Sequence, residues 1–198
     1  MKIFNIQSLP FNYGRSHAHP KFNSKARVEY LLRHNFTQMK DFTILPHFDD
    51  LDTESKYLAH KAKDATAHAH APYSKFHVGA AILLDDGTVV TGFNYENAAL
   101  PAGMCAERVA LYAAASQHPG KRITKMVIVA KRKGGKDLVP ATSCGPCRQV
   151  MLEFEGNQEK PFEVVMQNND HQWLKVSSAA ALLPYNYTKE NMEHITKK

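Results

Sequence analysis

Three cysteines and one glutamate carry the clearest chemistry in this chain. Cys105-Ala106-Glu107 is answered further along by Cys144-Gly145-Pro146-Cys147, and no other cysteine occurs among the 198 residues. A Cys-x-x-Cys pair sets two thiols on one tight turn, a spacing suited to a tetrahedral ion. Cys105 adds a third thiol and leaves a fourth position for water, which is the pattern of catalytic rather than closed structural zinc sites. Three thiolates around a Zn²⁺ ion leave a net negative centre, which acidifies water less than a neutral centre does. Arg108 and Arg148 each follow a motif directly and are placed to compensate that thiolate charge. Glu107 stands too close to Cys105 for a relaxed chelate but can meet a metal-bound water. A carboxylate there can take a proton from water and return it to a leaving group.

Blander readings exist for each residue. Alone, Glu107 is a surface glutamate in the first turn of a helix. The Cys-x-x-Cys alone is a redox pair or half of a structural zinc site. A redox pair leaves Cys105-Ala106-Glu107 unexplained, and a structural site needs a fourth ligand, for which His171 or the His68-Ala69-His70 pair are the candidates. His17 and His19, and His68 and His70 as well, read as solvated or packing residues before they read as ligands.

These motifs need elements to hold them. Both ligand groups fall at expected helix starts, where free N–H groups and the positive dipole end favour thiolate over thiol. One helix is expected over 105–116 and another from Pro146 to 154, proline being favoured at the first helical position. Upstream, Asp52 and Glu54 suit a cap and first turn, followed by an Ala- and Lys-rich helix to about residue 70 that Pro72 stops. Phe76–Leu84 reads as a buried strand, Asp85-Asp86-Gly87-Thr88 as a hairpin turn, and 89–94 as the returning strand. Residues 126–130, 162–166 and 173–176 read as further strands, 40–48 as a short strand or docked segment, and 97–103 as a loop. Residues 131–136 read as a basic loop and 177–183 as a short helix closed by Pro184. Strands alternating with helices indicate an α/β layered domain with both sheet faces covered.

Bulk properties narrow the class. At 43% hydrophobic and 22% charged residues, the chain is globular rather than disordered. No apolar run reaches the length of a membrane span, and no basic start precedes an apolar signal segment. An odd cysteine count argues against a disulfide framework and for metal ligation in a reducing cytoplasm. The formal charge is +6, but Lys2, Arg15, Lys21, Lys25, Arg27 and Arg33 stand against Glu29 alone in residues 1–38, so most of the excess lies there. That segment lacks periodicity and reads as a poorly ordered N-terminal extension, with Met39 a candidate alternative start. Residues 39–198 form the remaining domain.

Five blocks in order carry a resemblance: residues 71–81 (APYSKFHVGAA), 94–98 (NYENA), 103–108 (GMCAER), 144–149 (CGPCRQ) and 182–184 (LLP). From about Tyr57 to Tyr187 the chain resembles the cytidine deaminase family, the small homotetrameric nucleoside deaminases with three zinc cysteines. The resemblance implies a three-layer fold with a mixed β-sheet covered by helices on both faces. It implies one Zn²⁺ per subunit on Cys105, Cys144 and Cys147, with Glu107 as the catalytic proton carrier. The implied reaction is hydrolytic deamination of cytidine and 2′-deoxycytidine to uridine and 2′-deoxyuridine plus ammonia, a step of pyrimidine salvage. Asn94 and Glu96 look like the family's ribose-binding pair, Phe76 like its pocket aromatic, and Tyr187 like an aromatic that reaches a neighbouring subunit's pocket. The chain departs from the family at Ser143 and His77, where proline is usual, at Leu100, often tyrosine, and at Tyr187, commonly phenylalanine.

Competing expectations are a deaminase for another cytosine nucleoside or nucleoside antibiotic, a polynucleotide binder or editor, and a non-catalytic zinc-stabilised domain. The ribose pair argues against the first. The nearly neutral catalytic region and the absence of aromatics in 131–136 argue against nucleic acid as a partner, although the extension holds Phe4, Phe11, Tyr13, Phe22 and Tyr30.

Overall fold

A computed structural model describes residues 41–193, so the N-terminal extension lies outside the described residues. The elements follow the chain as β1 (Phe42–Leu45), α1 (Thr53–Ala65), β2 (Phe76–Leu84), β3 (Val89–Phe93), α2 (Ala106–Gln117), β4 (Ile123–Arg132), α3 (Gly145–Gln158), β5 (Glu163–Gln167), β6 (Trp173–Val176) and α4 (Lys189–Glu193). The six strands form one sheet in the order β1-β6-β5-β4-β2-β3. Only β4 and β5 pair in parallel, with α3 as the crossover between them.

The central strands are apolar on both faces, so they read in the sequence as near-continuous hydrophobic runs. Their side chains separate with period two. Ala80, Ile82, Met126, Ile128, Val164 and Met166 point into one core cluster with Ala106, Ala110 and Met151 of α2 and α3. Ala81, Val127, Val129 and Val165 point the other way, to Leu58, Ala59 and Ala62 of α1 and to Trp173. The result is the expected three-layer arrangement: α1 on one face, α2 and α3 on the other.

Two glycines set how close the helices come. A Cβ on Gly79 of β2 would collide with the Ala62 carbonyl of α1. A Cβ on Gly92 of β3 would lie 2.5 Å from the Ala106 carbonyl and the Ala110 amide of α2. The second contact matters for chemistry, because α2 begins at the first zinc motif.

Asp52 caps α1 as expected, accepting from the Ser55 amide at 2.8 Å. The helix ends at Ala65 rather than near residue 70, and a 3-10 turn follows over Thr66–His68. There the Thr66 hydroxyl bonds the Lys63 carbonyl, and His70 leaves the axis to bridge Tyr95. The strand expected over 126–130 extends to ten residues, taking in Lys131 and Arg132, because β2 pairs with it along almost its whole length. Pro146 is the second residue of α3, not the first, and α3 continues to Gln158 before Glu159 turns into the left-handed region. The helix expected at 177–183 is a 3-10 turn over Ala179–Leu182.

Candidate metal centre and cleft

Cys105 and Cys144 are the N-cap residues of α2 and α3, both with extended backbone. Cys147 follows in the first turn of α3. The two helix starts therefore deliver three thiols to one place. Cys105 Sγ lies 3.9 Å from Cys144 Sγ, and Cys144 Sγ lies 3.3 Å from Cys147 Sγ. All three sulfurs lie within 4.8 Å of one another. Ligands at the ordinary Zn–S length on a tetrahedron stand about 3.8 Å apart, so the donor set fits a zinc ion. No histidine joins the cluster among the described residues. Cys147 is fully buried while Cys144 is exposed, so the centre has an inner and an outer side.

The thiols do not share their protons evenly. A hydrogen bond with Cys147 pulls the Cys105 thiol down to about 5 against the effect of its burial, and Arg108 adds to the pull. The same bond, together with burial, pushes Cys147 up. Arg108 Nη2 lies 3.6 Å from Cys105 Sγ and 3.5 Å from the Gly103 carbonyl. Arg148 is employed differently. Its Nε donates to the Ser143 carbonyl at 2.9 Å and its Nη1 to the Leu182 carbonyl at 3.1 Å.

Glu107, in the first turn of α2, is 4% exposed, and burial pushes its carboxyl up from the ordinary range. Its Oε1 accepts from the Ser143 hydroxyl at 3.0 Å.

A cleft of about 590 Å³ opens beside the thiols. Cys105, Glu107 and Cys144 form its floor, with Phe76 and Val78 of β2 and Ile128 and Arg132 of β4 around it. Asn94 and Glu96 follow β3 into the same cleft. Asn94 extends the β2–β3 pairing with its side chain: Oδ1 accepts from the Val78 amide at 2.8 Å and Nδ2 donates to the Phe76 carbonyl at 2.9 Å. One amide N–H of Asn94 remains for a ligand. Glu96 Oε2 accepts from the Tyr73 and Ser74 amides at 2.9 and 3.2 Å. A hydrogen bond with Ser74, helped by these amides, holds the Glu96 carboxyl below its ordinary value.

Residues 52–160 match the family model described as the cytidine and deoxycytidylate deaminase zinc-binding region. A cytidine deaminase of Sporosarcina psychrophila is 37% identical over 139 residues, covering 70% of this chain and 94% of that protein. The chain belongs to this family. A cytidine deaminase of Mycobacterium tuberculosis is 42% identical over 107 residues, covering 54% of this chain and 76% of that protein. The crystal structure of cytidine deaminase from Burkholderia pseudomallei superposes with a TM-score of 0.56 at 36% identity, over 69% of this chain and all of that one.

The family framework makes the local departures readable. His77 sits in β2 with Nδ1 3.2 Å from the Thr66 carbonyl, at the 3-10 turn that follows α1. Leu100 is 79% exposed on a 3-10 turn. Tyr187 does not line its own chain's cleft; its side chain is exposed and its carbonyl accepts from Gln149 Nε2 at 2.8 Å. Arg132, expected in a basic loop, is the last residue of β4 and lines the cleft. Its guanidinium lies over the Phe76 ring at 5.2 Å from the centroid. The signal that could have found it is the apolar strand running directly into Lys131 and Arg132.

Proposed function

We propose that this protein is a zinc-dependent cytidine deaminase. It hydrolyses cytidine and 2′-deoxycytidine to uridine and 2′-deoxyuridine with release of ammonia. The observation that carries the proposal is the convergence of three thiols and a buried glutamate on one cleft that Asn94 and Glu96 also enter. Zinc supplies Lewis acidity toward water. Glu107 holds and moves the proton: its buried, raised carboxyl can protonate the ring nitrogen N3 and then carry a second proton to the departing amine. Phe76 contacts the base. Asn94 and Glu96 grip the 3′-hydroxyl and ignore the 2′ position, which lets both sugars enter. Arg108, at 3.6 Å from Cys105, offsets thiolate charge, whereas Arg148, spent on the Ser143 and Leu182 carbonyls, holds the segment that carries Ser143 and Cys144.

The catalytic unit is residues 39–198, working in the cytoplasm in pyrimidine salvage. No helix among the described residues is long and apolar enough to cross a membrane. The working form is a homotetramer in which Tyr187 completes a neighbour's pocket. Exposed Tyr73, Tyr95 and Leu100 support this assembly, since they lie on the segments next to Glu96 and Cys105. Light scattering after gel filtration should give a mass four times the 22.2 kDa chain; a monomer active at assay dilution would refute the shared pocket.

The deciding assay follows the loss of cytidine absorbance in the ultraviolet beside Glu107→Ala. Turnover by the wild type and none by the variant is expected. Full activity in the variant would overturn the mechanism, and no wild-type turnover of any cytosine nucleoside would overturn the function.

A further inference from the structure

Ser143 occupies a position where the family usually has proline, immediately before the first cysteine of the pair. Proline there has no hydroxyl to offer. Here the residue is 2% exposed, so its hydroxyl cannot be satisfied by bulk water. It is aimed instead at Glu107 Oε1, at 3.0 Å in a buried contact. The rest of Ser143 is held as firmly. Its amide faces Met166 Sδ at 3.5 Å, and its carbonyl accepts from Arg148 Nε at 2.9 Å. Among the described residues, no other hydroxyl bonds the Glu107 carboxyl.

We propose that Ser143 is a positioning residue for the proton-carrying carboxyl of Glu107, fixing Oε1 so that Oε2 is the oxygen presented to the cleft. The proposal rests on the deaminase reading. A hydroxyl suits this task because it donates to a carboxyl oxygen. It donates to Oε1 when Glu107 is a carboxylate and still does so when Oε2 carries the proton, since Oε1 is then the carbonyl oxygen of the acid. Both states that Glu107 passes through therefore keep a partner without moving the backbone. The neighbouring hydrogen bond from the Arg148 guanidinium to the Ser143 carbonyl keeps the hydroxyl's origin in place. A loss of this contact frees the carboxyl to rotate, and small misplacements of a reacting group are costly.

The test compares wild type, Ser143→Ala and Ser143→Thr as zinc-loaded full-length proteins. Ser143→Ala should keep one zinc per chain and its KM for cytidine, while kcat falls by roughly tenfold to a hundredfold. Ser143→Thr, which keeps the hydroxyl, should recover most of kcat. Infrared difference spectra give a readout independent of turnover. The Glu107 carboxyl stretch, assigned by subtracting Glu107→Gln, should shift in Ser143→Ala and return in Ser143→Thr. An unchanged kcat and carboxyl band in Ser143→Ala would overturn the proposal. So would a loss of activity that only tracks lost zinc. If the wild type fails to turn over cytidine, the deaminase reading falls, and the infrared comparison alone decides whether Ser143 holds Glu107.

Discussion

Under the proposed function Glu107 and the cysteines have separate jobs, and substitutions should separate them. Replacing a ligand should remove the ion; replacing Glu107 should leave the ion and remove the proton path. Cys144→Ser should lower zinc affinity by at least about 100-fold, more than the loss of a supporting partner costs, as read by competition with a chelating dye. Glu107→Gln should keep its zinc and lose about 10²- to 10⁴-fold in kcat, the usual scale of positioned acid–base catalysis. Equal zinc loss in both variants would contradict this division. At this scale the sequence was highly informative. Cysteine spacing and the adjoining glutamate are local facts, readable without a fold. The Ser143 contact was not readable, because the two residues meet only when α2 and the segment before α3 are brought together.

The elements matter through how closely they approach. Gly92 lets α2 press on β3, and α2 opens with Cys105 and Glu107. Gly92→Ala should therefore destabilise the fold by about 1–3 kcal/mol, the cost of forcing a methyl into packed structure. Calorimetry should show the lower melting temperature, and zinc retention should fall with it because the helix start is displaced. A variant as stable as wild type would show that the helix can retreat freely. This contact is hard to foresee from the chain alone, since a glycine in a strand also marks bulges and bends. Helix ends were similarly elusive. α1 stops at Ala65, where the Thr66 hydroxyl takes the Lys63 carbonyl and the bridge of His70 to Tyr95, which is not local in sequence, draws the chain off the helix axis.

Across the whole molecule, a charge network ties the start of α1 to three strands. Lys125 of β4 contacts Asp52 at 2.8 Å, Glu54 at 3.2 Å and Glu163 at 3.1 Å. Lys175 of β6 contacts Asp52 at 2.8 Å and Glu163 at 2.9 Å. Burial works to raise the Asp52 carboxyl, but hydrogen bonds from Lys125, Lys175 and Ser55 outweigh it and hold it well below the usual carboxylate range. A depressed folded value means that this stabilisation is complete above the unfolded value of about 3.9 and is lost as pH falls toward the folded one. Burial also works to lower Lys125, and its carboxylate partners outweigh it, leaving its ammonium raised. That contribution is present below the unfolded lysine value and fades as pH rises through the folded one. Stability from the network should thus be broad and flat near neutrality. Urea titrations from pH 2 to 7 should show an acid limb that Asp52→Asn makes shallower; identical limbs would remove Asp52 from the acid response.

By itself the sequence determined the family, zinc as its cofactor and the order of most elements, because each rests on residues close together in the chain or on short blocks in order. The tertiary structure decided which groups share the cleft. It brought Arg132 over Phe76, gave Asn94 a second task in pairing β2 with β3, and set Arg148 on backbone carbonyls. It also turned Ser143 from a missing proline into a hydrogen-bond donor to Glu107. Apart from Arg148 with Ser143, five residues away, these contacts join residues far apart in the chain. Their geometry depends on the packing of two helix starts against one sheet, which no local pattern encodes.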